Sequence, residues 1–184
     1  MLLFESKIEH SFKRDHRVLS AGATFFLLVL LAGCALSQNP SDDPAPPPLK
    51  MLSKTERAQL NEKTEPKERT SLALQLMESR LKAAEKFQVD ENYSLMYAEL
   101  GGFHALMDNT LDFLLHNSAS EGKRLSGLKK FEIGLREFTP RIETIRRESP
   151  FNFEPYIKNL LKYISEDREK AIQPFFGNTV VQEN

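Results

Sequence analysis

Apolar residues recur at helical spacing through most of the chain beyond residue 65. Leu74, Met77, Leu81 and Ala84 step by 3, 4 and 3. That spacing puts one apolar face on a helix predicted from about Pro66 to Phe87. Val89-Asp90-Glu91-Asn92 reads as a turn, with Asp90 as the N-cap of a second helix. This second helix is predicted from about Glu91 to His116, with a stripe of Met96, Leu100, Phe103, Met107, Leu111 and Leu114. Leu95, Leu106 and Phe113 widen that stripe, so this helix is expected to be the most buried. Gly101-Gly102 falls in its middle, where two glycines cost about 2 kcal/mol relative to alanine. They admit close approach of a neighbouring helix, or a kink.

After Asn117-Ser118-Ala119-Ser120 a third long helix is predicted from about Glu121 to Glu148. Leu128, Phe131, Leu135, Phe138, Ile142 and Ile145 step by 3, 4, 3, 4 and 3, a heptad seam. Pro140 lies inside it and predicts a kink just before itself. A fourth helix is predicted from about Pro155 to Gln173, with Ile157, Leu160, Ile164 and Ala171 inward and Tyr156, Leu161 and Tyr163 beside them. Phe175-Phe176-Gly177 reads as an apolar clamp folding back, and Thr179–Asn184 as a frayed tail. A short polar helix precedes the four, opened by a capping box at Ser53 and Glu56 and reaching about Lys63.

No alternating run of useful length and no Asn-Gly or Asp-Gly hairpin signal appears. The pattern therefore predicts an all-α fold, an up-and-down antiparallel four-helix bundle after a disordered Pro-rich tether. The segments expected are a leader at 1–33, a linker at 34–52, the bundle at 53–176 and a flexible tail at 177–184.

The N-terminal third has another character. Lys7, Lys13, Arg14 and Arg17 precede the run Phe25-Phe26-Leu27-Leu28-Val29-Leu30, which closes on Leu31-Ala32-Gly33-Cys34. A charged region, a short apolar region and small residues at the cut make a secretory signal peptide. The last four residues resemble the lipobox of bacterial lipoproteins. That resemblance implies cleavage between Gly33 and Cys34, with diacylglycerol on the Cys34 sulfur. The apolar run from Ala21 to Cys34 is 14 residues, short of the roughly 20 that a membrane span needs. A buried core helix would leave the basic flank and the abrupt proline run without a reason. Glu5, Glu9 and Asp15 make the leader unusually acidic, so Met1 need not be the true start. Each buried CH₂ contributes about 0.8 kcal/mol, so two or three acyl chains on one residue hold firmly. Five prolines between Ala35 and Lys50 favour polyproline II, a spacer reaching on the order of 45 Å.

Composition narrows the function. Residues 1–33 carry four of the 25 Lys/Arg and three of the 26 Asp/Glu, so the remainder has a net charge of −2. No basic stripe argues for nucleic acid. Cys34 is the sole cysteine, which excludes an internal disulfide and a thiolate cluster.

The chain lacks phosphate-loop, dinucleotide, zinc-protease, nucleophile-elbow and EF-hand signatures. His104, Asp108, Asp112 and His116 recur every four residues, and imidazole with carboxylate at that spacing can share a metal. Four residues turn a helix by about 400°, so the row drifts until His116 reaches the solvated side. His104 and Asp108 alone remain as a flanking pair. Glu132 and Asp167 are candidate buried carboxylates, each also suited to a rim with a Lys or Arg one turn away. Met77, Met96 and Met107 lie on core stripes. Ala84, Phe87, Tyr93 and Leu100 resemble positions of a tetratricopeptide repeat. Met96 stands where that repeat wants alanine and no second copy follows, so the match reads as the grammar of any helical hairpin.

The expectation is a non-enzymatic lipoprotein of the bacterial cell envelope, held to the membrane through Cys34 and engaging another envelope protein, with no cofactor and no nucleic acid. Ala35 rather than Asp after Cys34 implies, by the same resemblance, the outer membrane and its periplasmic face where the cell has two membranes. The alternative is a small-molecule or metal-binding bundle resting on His104, Asp108 and the Gly101-Gly102 gap.

Overall fold

The computed structural model describes residues 43–176. The expectations for Cys34, the leader and the tail from Gly177 onward lie outside those residues. Five α-helices follow one another: α1 Lys54–Asn61, α2 Pro66–Val89, α3 Tyr93–His116, α4 Glu121–Glu148 and α5 Glu154–Ile172. A single 3₁₀ turn, Gln173–Phe175, ends the described chain. There is no strand among the described residues, and no helix there is long and apolar enough to cross a membrane.

The first three helices start where a side chain satisfies a free N–H group. Ser53 and Glu56 form the expected capping box on α1. Pro66 occupies the first turn of α2, and the Glu65 carboxylate accepts from the Glu68 N–H at 2.8 Å. The cap of α3 is Asn92, whose side chain accepts from Leu95 N–H, and not Asp90 as the turn suggested. The reason lies in how α2 ends. Glu91 takes φ 55°, the Asn92 N–H reaches back to the Phe87 carbonyl at 2.8 Å and the Glu91 N–H to Gln88 at 3.0 Å. Those two bonds make a Schellman motif that uses up Asp90 and Glu91.

Four long helices alternate in direction, as the up-and-down reading required. Arg80 beside Glu99 and Arg69 beside Asn109 set α2 antiparallel to α3. Arg168 on Glu132 and Arg146 on Glu154 set α4 antiparallel to α5. The pairings are less simple than a meander. α2 packs closely on both α3 and α4, whereas α3 and α4 touch little although consecutive. α2 and α4 run parallel, and the α4 face turned to α2 carries Gly127, Gly134 and Arg141, seven residues apart. A Cβ on Gly127 would stand 2.5 Å from Leu114 Cδ2 and 3.3 Å from Pro66 Cβ. Further along, Arg141 grips Glu85 at 2.7 Å through two nitrogens and Glu78 at 2.5 Å.

The heptad seam of α4 is buried throughout, and Pro140 sits inside one unbroken helix. The three stripe methionines are fully buried. From Leu100 to Met107 every residue of α3 is buried, so this helix is covered on all sides for two turns. Part of that cover does not come from a helix. Ala45 donates to the Asn152 carbonyl at 2.8 Å and accepts from the Tyr97 hydroxyl at 3.4 Å. Lys50 Nζ reaches Asp108 at 2.7 Å. Ala45 and Leu52 pack on the core. The linker expected to run free to residue 52 is therefore a strap along α3 from Ala45 onward.

Gly101 is the reason the strap fits. A Cβ there would stand 2.6 Å from the Leu49 carbonyl oxygen and 3.1 Å from Pro48 Cβ. Gly102 instead makes room for Arg80, whose Cζ would lie 2.9 Å from an added Cβ. The glycine pair thus admits a proline strap and a guanidinium, not a neighbouring helix. The expected clamp at the other end is also corrected. Phe175 and Phe176 are exposed, the second by 72%, and line an open space with Ile172 and with Lys129 and Glu132 of α4 rather than closing on the core.

Candidate functional site

The candidate site is the seam where α3 faces α5. The chain has four tyrosines, and all of them lie along it. Tyr93, Tyr97 and His104 project from α3; Tyr156 and Tyr163 project from α5, and Phe153 from just before it. Tyr97 meets Phe153 at 5.1 Å and Tyr156 at 5.0 Å, both edge to face. His104 lies 5.0 Å from the Tyr163 ring. These rings fill a gap that the α3 and α5 backbones leave wide.

His104 is 3% exposed. Its Nδ1 is 3.3 Å from the Tyr156 hydroxyl, which also lies 3.4 Å from the Leu100 carbonyl. Its Nε2 is 3.5 Å from Asp108 Oδ1. Burial pushes the imidazole below its ordinary pKa, against the pull of Asp108 and Asp167, and Lys50 pushes it further down. His104 is thus held neutral near pH 7. Burial raises the Tyr97 hydroxyl to about 12 and moves Tyr156 upward as well, so both remain protonated donors.

The expected pairing of His104 with Asp108 is present. Asp112 and His116 pair with each other at 3.0 Å, both about three-quarters exposed, where the helical drift put them. Both His104 nitrogens already face protein groups, Nδ1 the Tyr156 hydroxyl and Nε2 the Asp108 carboxylate. No group of three or more His, Cys, Asp or Glu is arranged to hold a metal ion among the described residues. Beside the pair runs a shallow open groove of about 450 Å³, walled by Lys50, Arg57, Asp108 and Asp112 among others.

Glu132 and Asp167 are both buried, and both have the cation one turn away. Burial works to raise the Glu132 carboxyl, yet Arg136 and Arg168 together hold it below the usual range. It is a carboxylate clamped between α4 and α5, with bonds of 2.8 Å to Arg136 and 3.0 Å to Arg168. A second clamp, Arg80, joins α1, α2 and α3 by bonds of 2.8 Å to both Glu56 oxygens and to Glu99.

The sequence reading missed the tyrosine seam and the strap. Their signal was there: Tyr97, Leu100 and His104 share one helical stripe, as do Tyr156, Leu160 and Tyr163. No protein-family model matches the chain, nor does any curated protein or solved structure.

Proposed function

We propose that the protein is a lipid-anchored envelope protein whose helical bundle acts by binding another protein, not by catalysis. The observation that carries this reading is the closed interior. The buried side chains His104, Glu132, Asp167 and Glu56 each have a partner in the fold, which leaves chemistry to the surface. The anchor is Cys34, after cleavage behind Gly33. Nine residue steps from Cys34 to Asp43 span at most about 30 Å, so the bundle works close to the membrane that holds it. Where the cell has two membranes, this is the periplasmic face of the outer one.

Metabolic labelling with an alkyne fatty acid in a bacterial host tests the anchor. The expected result is label on the mature chain and recovery in the membrane fraction, both lost on Cys34→Ser. An unlabelled protein that still carries residues 1–33 would refute it. Crosslinking in intact cells from exposed positions on α3 and α4 tests the partner, which is expected as one reproducible adduct.

A further inference from the structure

We propose that the α3 groove under the strap is a polyproline-recognition site, whose ligand from outside is an extended proline-rich segment of another protein and whose resident occupant is this chain's own residues 45–49. The inference supplies a ligand class for the interaction reading above and rests on it for its cellular meaning.

The occupant shows what the groove selects. Residues 44–52 form neither helix nor strand; Pro48, half-buried, lies over Gly101, and Pro46, Pro47 and Pro48 line one open space with Ser94, Tyr97, Ala98 and Phe153. Proline-rich segments dock on aromatic-lined grooves because their extended form is preset and little entropy is lost on binding. Here the Tyr97 and Phe153 rings, at 75° to each other, supply the aromatic wall. Gly101 supplies a floor on which a backbone carbonyl can rest. The backbone at Ala45 is held on both sides, its N–H by Asn152 and its carbonyl by Tyr97, which fixes register without reading a side chain.

The hold is light. Pro46, Pro47 and Leu49 remain exposed, and the one ion pair, Lys50 with Asp108, is nearly half exposed on both sides. Such exposed pairs contribute little, and segments with few buried contacts open locally well before the fold does. An open apolar space of about 480 Å³ persists beside the strap, so an incoming segment can engage before the strap leaves. Displacement would also return residues 43–52 to the tether and lengthen the reach of the bundle.

The test uses the mature chain in detergent and a fluorescent peptide of residues 43–50, read by anisotropy. The strap is weakened by Pro46→Ser, Pro47→Ser and Pro48→Ser together. The weakened chain is expected to bind the peptide saturably, and the wild type at least tenfold more weakly, because its own strap competes at an effective concentration of order millimolar. Adding Gly101→Val to the weakened chain should abolish binding. Ala98→Lys, at an exposed position, should do the same without risk to folding. No binding to the weakened chain, equal binding by wild type, or equal binding of a peptide with serine at the three prolines would each overturn the proposal. The assay involves no membrane, so its failure leaves the Cys34 result standing, and the reverse.

Discussion

Gly134 of α4 sits directly against Leu74 of α2. A Cβ at Gly134 would collide with Leu74 Cδ2 and stand 2.9 Å from Cδ1 and 3.2 Å from Cγ. A larger residue at 134 is admitted only if the Leu74 side chain gives way. A helix-interior glycine is ordinarily a weakness that alanine repairs by about 1 kcal/mol. Here space outweighs propensity. Gly134→Val is expected to cost about 1–3 kcal/mol through overpacking. Gly122→Ala, with nothing within 4 Å of its added carbon, should be neutral or stabilising by up to about 1 kcal/mol. Urea unfolding of both variants checks the contrast, and equal effects would refute it.

Beside Arg69, which reaches the Leu60 carbonyl of α1 and Asn109 of α3, Arg80 ties the same three helices through Glu56 and Glu99. Its loss would leave the mostly buried Glu56 carboxylate with only local partners from Ser53. Arg80→Met should cost about 1–3 kcal/mol, the range for stranding a buried polar group. The damage should be local. Hydrogen exchange within Lys54–Asn61 is expected to speed up while α4 and α5 stay protected. Uniform loss of protection would mean that the clamp supports the whole bundle instead.

The helices were legible because burial writes itself as period. Every position of the α4 seam and nearly every inward residue of α5 followed from spacing alone. The strap was not legible, because a proline run has the same composition whether it hangs free or lies in a groove. Only Gly101, far along the chain in α3, records the difference. The pairing of α2 with α4 escaped for a related reason. Gly127, Gly134 and Arg141 mark that face, but glycine and arginine carry no hydrophobic signal. The His104 and Asp108 pair was visible from helical drift, whereas its partner Tyr156 comes from another helix, which drift cannot reach.

Glu91 occupies the left-handed position that ends α2, where glycine is the usual residue. A side chain there clashes with the following carbonyl at a cost of about 1–2 kcal/mol. Glu91→Gly is therefore expected to stabilise the fold by about 0.5–1 kcal/mol, part of the relief being offset by the freedom glycine adds to the unfolded chain. Glu91→Val should destabilise, since a β-branched side chain suits this conformation least. Thermal melts of the three proteins should rank Gly above Glu above Val, and any other order would contradict the Schellman geometry.

His104 makes the fold sensitive to mild acid. Burial holds its folded pKa below the ordinary 6.5, so below that pH the unfolded chain binds the proton more readily than the folded one. The stability this group permits is intact above about pH 6.5 and falls as pH drops toward the folded value. The slope for one proton cannot exceed about 1.4 kcal/mol per pH unit. The lowered carboxylates, Glu56, Glu78, Glu132 and Glu143, start from 4.5, so their losses come at lower pH and leave this window to histidine. Wild type should lose stability between pH 7 and pH 5, and His104→Gln should lose less over the same interval, whatever its starting value. Lys50 pushes His104 down as well, so Lys50→Ala should flatten the same slope. Urea midpoints at pH 7, 6 and 5 decide it: parallel curves for wild type and His104→Gln would place the acid sensitivity elsewhere.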